Sequence, residues 1–247
     1  MISDRTADVL RVLQSSDAPD PVADVIETAA DALGVDGLAV SLVTDGALTE
    51  LLWCSDETTR HFEDLQFTLG EGPGPDAVRT GALVWVPDLA SVRLARWPAL
   101  AMEAPDLAAR AVFCFPLGIG AIRVGVLTAV RRTPGPMSHQ QTDDALILAR
   151  ALTVRCLGSG EAPSGTPVAV EVPQALHHAV VHQATGMVSV QLSVPLPQAL
   201  LRLRAHAYSS GRSITDICKD VVDRRLRLGH SHNGAAPGAE EEKDVSP

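Results

Sequence analysis

Seven basic side chains near the C-terminus have the type and spacing that suit contact with a phosphate backbone. They are Arg202, Arg204, Arg212, Lys219, Arg224, Arg225 and Arg227. Residues 174 to 229, which contain them, hold seven Lys and Arg against three Asp and Glu, although the whole chain has a net charge of −10. An acidic surface repels a polyanion, whereas clustered arginines bind phosphates. Only this segment of the chain therefore suits nucleic acid.

Other side chains with reactive chemistry form no recognisable site. His178 and His182 have the i, i+4 spacing of a helical metal pair, but without a third ligand nearby in sequence a solvated helix face is favoured. The cysteines show neither CxxC spacing nor a pairing rhythm, so a reduced thiol that behaves as a small apolar side chain is expected. They are Cys54, Cys114, Cys156 and Cys218. No nucleophile, base and orienting group come together, and we expect neither an enzyme nor a metal or cofactor.

A glycine-rich segment, Gly70 to Gly74, raises the question of phosphate binding in the N-terminal part. No GKS or GKT follows it and GxGxxG is absent, so neither a P-loop nor a dinucleotide-binding loop is supported. The sequence predicts a structural turn that leads into a short helix.

The elements of the N-terminal part alternate between helical and strand periodicity. Apolar residues recur at helical spacing through residues 4 to 33, with Asp20 as N-cap of the second helix and Gly34 at its end. Asp45-Gly46 between two apolar runs predicts a hairpin. A second strand pair is predicted at 111 to 117 and 122 to 130 around a turn at Gly118 to Gly120. A helix from Gln140 to Leu157 follows, with its apolar face expected at Leu146, Ile147, Ala149, Leu152 and Val154.

This order of elements resembles the GAF domain over residues 5 to 157. Its most specific part is Gly70-Glu-Gly-Pro-Gly-Pro-Asp-Ala-Val-Arg-Thr-Gly81 followed by Val86-Pro-Asp-Leu89. The resemblance implies an α/β/α sandwich with an antiparallel sheet, used to sense an unknown small molecule or protein. It also implies that a ligand would lie near Gly70 to Gly81.

Three short helices are predicted beyond a linker at residues 158 to 173, where proline and glycine oppose regular structure. The first spans about Gln174 to Gln191 and the second Ala199 to Tyr208. Ser213 or Thr215 caps a third, whose apolar positions are Ile214, Ile217, Val221 and Val222. Glycine is costly inside a helix, so Gly186 is expected to admit a neighbouring helix closely. Residues 230 to 247 are predicted to form a disordered acidic tail.

The helical segment resembles the ANTAR domain, a three-helix module that binds RNA hairpins in transcription antitermination regulators. The matching residues are Gln183-Ala-x-Gly186-Met187, Ala199-x-x-x-Leu203-Arg204 and Arg212-x-Ile214. The resemblance implies RNA contacts by Gln183, Arg202, Arg204, Tyr208, Arg212 and Lys219, with the tyrosine suited to stack on an unpaired base. Thr185 stands where many family members carry lysine, which puts one phosphate contact in doubt.

The fold class that follows is α+β, with a GAF-like sandwich and then a three-helix module at residues 174 to 229. The expected function is signal-controlled antitermination through RNA hairpins in nascent transcripts. Fewer than sixty residues build a marginal core, so a homodimer is expected. The cysteine usage and the lack of a leader or membrane span predict a cytoplasmic protein without membrane contact. The alternatives are a dimerisation or protein-interaction module without RNA binding and, less favoured, a helix-turn-helix DNA binder.

Overall fold

A computed structural model describes residues 2–14, 21–44, 47–157 and 177–229 of the chain. The predicted linker and acidic tail, the Asp20 cap and the Asp45-Gly46 turn lie outside these residues. In the N-terminal part the helices are α1 (Asp4–Gln14), α2 (Pro21–Leu33), α3 (Glu57–Leu69), α4 (Pro73–Thr80), α5 (Pro98–Glu103) and α6 (His139–Leu157), and the strands are β1 (Gly37–Thr44), β2 (Ala47–Cys54), β3 (Val84–Val86), β4 (Ala111–Ile119) and β5 (Ile122–Arg131). The C-terminal helices are α7 (Ala179–Leu192), α8 (Leu196–Ser210) and α9 (Ile214–Val222).

The five strands form one antiparallel sheet in the order β2-β1-β5-β4-β3. On one face, side chains from α1, α2 and α6 pack against strand residues such as Phe113 and Leu127. On the other face, Phe62 of α3, Val78 of α4 and Trp97 pack against alternate residues of the same strands. The predicted α+β class and the sandwich of helices around an antiparallel sheet are confirmed. We call residues 2–157 the sheet unit.

The β4–β5 turn lies two residues later than the sequence predicts. β4 continues through Gly118 and Ile119, and the turn is made at Gly120 and Ala121. Gly120 has φ +59, the left-handed region that glycine adopts without cost. Gly118 is required for another reason, because a Cβ there would collide with the carbonyl oxygen of Ile122 across the strand pair.

The apolar face of α6 also differs from the prediction. Ala149 and Leu152 are buried as expected, but Leu146, Ile147 and Val154 are exposed. The buried face instead runs through Ala145, Leu148, Leu152 and Cys156, at spacings of three and four. The mixed apolar sequence is compatible with more than one face, and contact with β4 and β5 selects this one.

Helices α7, α8 and α9 pack together as a separate core, which we call the helical module (residues 177–229). Val181, Val188, Leu203, Ile217 and Val221 lie at its centre. Ser213 caps α9 by accepting a hydrogen bond from the Asp216 amide at 3.1 Å, so of the two predicted caps Ser213 is the one observed. Phe67 of α3 belongs to this same core, which shows that the helical module is docked on the sheet unit.

Candidate nucleic-acid interface and the contact between the two units

An open groove runs along α7 and the segment that follows α9, and its volume is about 1000 Å³. We call it the α7 groove. Its polar lining includes Gln183, Gln191, Arg224 and Arg227, and its apolar lining includes Met187, Val190, Val221 and Leu226. Val190, near the end of α7, is 83% exposed. The groove thus combines two cations with exposed apolar surface.

Gly186 lies in the wall of the α7 groove. A Cβ added there would meet no atom within 4 Å. Among the described residues no helix approaches Gly186 closely, so the prediction that it admits a neighbouring helix is wrong for this part of the chain. A glycine that costs helix stability yet faces an open groove leaves room for the close approach of another molecule.

The structure divides the predicted RNA-contact residues among several places. Gln183 lies in the α7 groove, where Arg224 and Arg227 join it. Arg202 and Arg204 are two residues apart on α8 and therefore project from opposite flanks of the buried Leu203 row. Tyr208 is 49% exposed near the end of the same helix. The six residues do not form one continuous patch, and their contact with RNA stays a prediction.

Three of the seven basic residues are already paired with acidic side chains of α9. Nη2 of Arg212 donates to Oδ2 of Asp220 at 2.7 Å, and Nε of Arg225 donates to Oδ1 of the same carboxylate at 2.9 Å. Lys219 lies 3.6 Å from Asp216. The two arginines hold the pKa of Asp220 below its usual range. By contrast, among the described residues Arg202, Arg224 and Arg227 form no ion pair.

Arg224 has a backbone conformation that arginine rarely adopts. Its φ is +59, in the left-handed region, and its amide donates to the Val221 carbonyl at 3.0 Å as the chain leaves α9. A non-glycine residue in this region is strained. The turn directs the chain toward α7, which places Arg224 and Arg227 on the same groove as Gln183. Sequence reasoning included these two arginines among the basic residues but could not separate them from the paired ones.

Thr185, where the ANTAR resemblance leads one to expect lysine, lies inside the helical module. Its side chain is 8% exposed and its hydroxyl donates to the Val181 carbonyl at 2.7 Å. This hydrogen bond to the preceding helical turn gives the Thr185 hydroxyl an acceptor, so the side chain can lie inside an apolar core. Thr185 therefore supplies no surface for a phosphate, which agrees with the missing contact inferred from the sequence.

Histidines and carboxylates form the polar part of the contact between the sheet unit and the helical module. Nε2 of His177 lies 2.8 Å from Oδ1 of Asp64, and Nε2 of His178 lies 3.4 Å from the same oxygen. The His178 amide donates to Oε1 of Glu50 at 2.9 Å, and His182 lies 3.3 Å from Oε2. We call these five residues the histidine–carboxylate cluster.

The His178 ring stacks on Phe67 at 3.8 Å and is 3% exposed. The expectation that His178 and His182 form a solvated helix face is therefore wrong for His178, since α3 covers it. The signal that sequence reasoning missed lies in α3, where Asp64 and Phe67 are spaced to meet the start of α7 together.

Titration of the histidine–carboxylate cluster follows from its geometry. Burial opposes the ionisation of Asp64, but the hydrogen bonds from His177 and His178 outweigh it and hold the pKa of Asp64 well below its usual range. Burial likewise opposes ionisation of Glu50, and the hydrogen bonds from His182 and the His178 amide lower its pKa. The hydrogen bond to Asp64 raises the pKa of His177 above 6.5. These hydrogen bonds join the sheet unit to the helical module.

Ligand atoms of Asp64, His177 and His178 lie within 4.8 Å of one another, close enough for a divalent cation. Metal-bound histidines usually donate their other ring nitrogen to an acceptor. Nδ1 of His178 is buried and has no partner among the described residues. The Nε2 atoms of both histidines already lie within hydrogen-bonding distance of Asp64.

The cysteines do not present a reactive thiolate. Burial raises the pKa of Cys54 and of Cys156 to about 11 and that of Cys218 to about 12, and it also raises the pKa of Cys114. A nucleophilic cysteine needs the opposite shift. These side chains behave as small apolar groups, as the sequence predicts.

Comparison with known proteins gives distant structural likenesses only. No family model matches the chain, and no curated protein matches it. The GAF domain of a phosphoenolpyruvate-protein phosphotransferase from Coxiella burnetii is 16% identical, with a TM-score of 0.48 over 62% of this chain and 94% of that one. The GAF domain of nlh2 from A. Aeolicus, in an inactive state, is 12% identical, with a TM-score of 0.44 over 61% and 92%.

An enzyme also appears among these likenesses. Free methionine-R-sulfoxide reductase from Neisseria meningitidis, in complex with its substrate, is 18% identical, with a TM-score of 0.41 over 62% of this chain and 90% of that one. At these values no ligand or activity carries over to this chain. Among the described helices, none has the length and apolar character needed to span a bilayer.

Proposed function

We propose that the chain is a signal-responsive RNA-binding regulator of the antitermination type. In this proposal the helical module binds hairpins in nascent transcripts, and the sheet unit, as a GAF-type sensor, controls it in response to a small molecule or a protein. The observation that carries the proposal is the α7 groove, where Gln183 lies beside the unpaired Arg224 and Arg227. A homodimer in the cytoplasm is the expected setting.

Charge supports the α7 groove as the RNA-contact surface. A protein with net charge −10 repels RNA over most of its surface, so the attraction must be local. Arg224 and Arg227 offer exposed guanidinium groups with no acidic partner among the described residues, and Gln183 offers an amide that can read a base edge. Arg202 and the exposed ring of Tyr208 would extend the contact on α8. Arg212 and Lys219 would first have to leave their acidic partners.

Control by the sheet unit is supported by the docked position of the helical module. Phe67 and the histidine–carboxylate cluster fasten α7 and α8 to α3 and β2. A signal that changes this docking changes which side chains of α8 are accessible, and Arg204 is the clearest case because it packs over the Phe67 ring at 5.2 Å. In this proposal the helical module has a docked and an undocked state, and both a signal and RNA can shift the equilibrium between them.

A gel-shift titration of the full chain with hairpin RNA at several salt concentrations tests the proposal. We expect affinity to fall linearly in log salt, and Arg227→Ala to weaken binding and lower the slope by about 1. Arg212→Ala should weaken binding as well. Arg224→Gly is the sharpest variant, because it removes the charge while relieving the left-handed strain, so RNA affinity should fall while stability does not.

Arg11→Ala is the matched control, since Arg11 is an exposed arginine on α1 that pairs only with Asp8 among the described residues. Its RNA affinity should equal that of the unaltered protein. Absence of any shift, or equal losses for Arg11→Ala and Arg227→Ala, would contradict the proposal. Duplex DNA as competitor separates RNA recognition from a helix-turn-helix DNA binder.

A second candidate function is a module that binds another protein or its own copy without RNA. The exposed Val190 beside Met187 and Leu226 in the α7 groove favours it, because apolar surface of this kind is typical of a contact between proteins. Sedimentation of the full chain separates the two. A dimer that Val190→Asp dissociates, together with no RNA shift, supports this second function.

A further inference from the structure

A second cavity lies at the contact between the sheet unit and the helical module. Its volume is about 440 Å³, and we call it the Arg204 cleft. The sheet unit lines it with Glu71 and Asp76 around the start of α4, with Arg79 of α4, and with Arg96 and Trp97 before α5; the helical module contributes Arg204. The cleft lies outside the core that α3 and α4 form with the sheet, since that core is filled by side chains such as Phe62 and Val78.

The two carboxylates of the cleft are already satisfied by the sheet unit. Oε1 of Glu71 accepts hydrogen bonds from the amides of Ala99 and Leu100 at 2.7 and 3.0 Å, at the start of α5. Oδ1 of Asp76 accepts from Arg79 at 3.0 Å, and Oδ2 accepts from Arg96 at 3.2 Å. Neither carboxylate neutralises Arg204.

Arg204 is a cation of the cleft that has no anionic partner among the described residues. Its guanidinium lies over the Phe67 ring, and its Nη1 would be 3.0 Å from a Cβ at Gly70. Its Nε is buried and has no hydrogen-bond partner, and no ion pair to Arg204 occurs among the described residues. Burial of a charged group without a partner is costly. The guanidinium keeps its charge, so an anion is the missing partner.

Trp97 adds a second unsatisfied donor at the same cleft. Its side chain is 2% exposed, and its Nε1 is buried without an acceptor among the described residues. Arg96 lies over the Trp97 ring at 4.2 Å. The cleft is therefore lined by three arginines and two carboxylates, and because Arg79 and Arg96 both pair with Asp76, Arg204 is the arginine that has no carboxylate partner among the described residues. Such a donor set selects an oxyanion.

We infer that the Arg204 cleft binds a small molecule through an oxyanion group, a phosphate or a carboxylate, and that the bound anion fastens the helical module to the sheet unit. The bound group would accept hydrogen bonds from the Arg204 guanidinium, which gives the charged lining of the cleft its excess of one positive charge. Because Arg204 belongs to α8 and the other residues to the sheet unit, binding and docking are thermodynamically coupled. This inference does not depend on RNA binding.

The test uses thermal unfolding and calorimetric titration of the full chain with inorganic phosphate and, separately, with succinate, at constant ionic strength. We expect a saturable rise in Tm with at least one of them, and the one that acts identifies the oxyanion. Arg204→Gln, which keeps most of the packing, should weaken binding at least tenfold. Arg11→Ala, which removes an exposed arginine of α1 that does not line the cleft, is the control and should bind as tightly as the unaltered protein.

Arg79→Ala changes the cleft on the side of the sheet unit and should also weaken anion binding. Because this variant leaves α8 unaltered, its loss of binding could not come from a folding defect in α8. No saturable response to either anion in the unaltered protein would overturn the inference. So would equal binding by the Arg204→Gln and unaltered proteins. Loss of anion binding in Arg79→Ala with an unchanged RNA gel shift supports the inference and shows that it stands apart from the proposed function.

Discussion

Glu63 of α3 is a carboxylic acid placed in the core of the sheet unit. It is 3% exposed, accepts from the Ser41 hydroxyl at 2.7 Å and from the Gln66 amide at 3.1 Å, and faces β1 and β5. Burial raises its pKa, although the hydrogen bonds from Ser41, Thr128 and Gln66 oppose the shift. The pKa of Glu63 is therefore higher in the folded protein than in the unfolded chain, where it has the ordinary value of 4.5. The contribution of Glu63 to the stability of the fold consequently falls as the pH rises above 4.5.

Replacing Glu63 separates its charge from its hydrogen bonds. Glu63→Gln keeps the shape and should leave the free energy of unfolding at pH 7 unchanged or higher. Glu63→Ala leaves buried partners unsatisfied and should cost about 1 to 3 kcal/mol. Urea unfolding at pH 5 and pH 7 measures both. A Glu63→Gln protein that is as unstable as Glu63→Ala would show that the ionised carboxylate is needed.

His177 makes docking depend on pH. The hydrogen bond to Asp64 raises the pKa of His177. The charge of Arg60 lowers this pKa and the charge of Glu50 raises it. The other titratable groups nearby are His178 and His182. The stabilisation is fully present below pH 6.5 and is lost as the pH rises through the raised pKa of His177. At acid pH the pair depends on Asp64, whose ordinary pKa of 3.8 is lowered in the fold. Its carboxylate therefore stays ionised below pH 3.8, and the pair is lost when the pH falls through the lowered pKa.

His177→Ala should therefore lower stability by about 1 kcal/mol at pH 5.5, after allowance for solvent screening, and by less at pH 8.5. Urea unfolding in the presence of EDTA measures the difference from the unaltered protein at each pH. His61→Ala removes an exposed histidine of the same α3 that does not belong to the histidine–carboxylate cluster, and it is the control for the loss of a histidine. A constant difference for His177→Ala would contradict the assignment of the charged pair.

At the scale of elements, Gly186 makes helix α7 less stable than it would be with alanine at the same position, because glycine has a low helix propensity. Alanine there would meet no atom within 4 Å, so Gly186→Ala should raise the free energy of unfolding by about 1 kcal/mol. The same methyl group would stand in the wall of the α7 groove and should weaken RNA binding. Chemical unfolding and the gel shift, measured on the same preparation, report the two opposite effects.

Gly211→Ala is the contrasting variant. Gly211 also has open space around it, but its φ of +63 at the end of α8 disfavours any Cβ, so this substitution should destabilise by about 1 kcal/mol. If Gly186→Ala gained stability and kept full RNA affinity, the α7 groove would not be the RNA-contact surface.

At the scale of the whole molecule, Phe67 fastens the two units together. It is 4% exposed, and it lies in the core of the helical module although it belongs to α3. Phe67→Ala removes the stack on His178 and the contact with Arg204. We expect the helical module to detach, which small-angle scattering would record as a larger radius of gyration, together with a loss of stability of about 3 to 5 kcal/mol.

Leu201→Ala truncates an exposed apolar residue of the helical module that lies outside the α7 groove, and it should leave the radius of gyration unchanged. If Phe67→Ala also kept the radius of the unaltered protein, the histidine–carboxylate cluster alone would suffice for docking. Combining Phe67→Ala with His177→Ala would then be the variant that detaches the helical module.

The sequence by itself determined the elements and their class. Alternation of apolar residues with turn-forming glycines predicted the strand pairs, because hydrophobic periodicity and backbone freedom act locally. Gly34 ends α2 at φ +63, and Ser213 caps α9, as local rules require. Where the local pattern was compatible with two outcomes, as on α6 and at the β4–β5 turn, contacts with other strands selected the result.

Only the tertiary structure decided which charged residues share a surface. Arg204, Arg212 and Arg224 look equivalent in the sequence, yet one lies in a cleft against Phe67, one pairs with Asp220 and one opens onto the α7 groove. Asp64 and His177 are 113 positions apart and meet because α3 and α7 pack together. Such contacts depend on the placement of whole helices, and that placement follows from the burial of apolar surface across the entire chain.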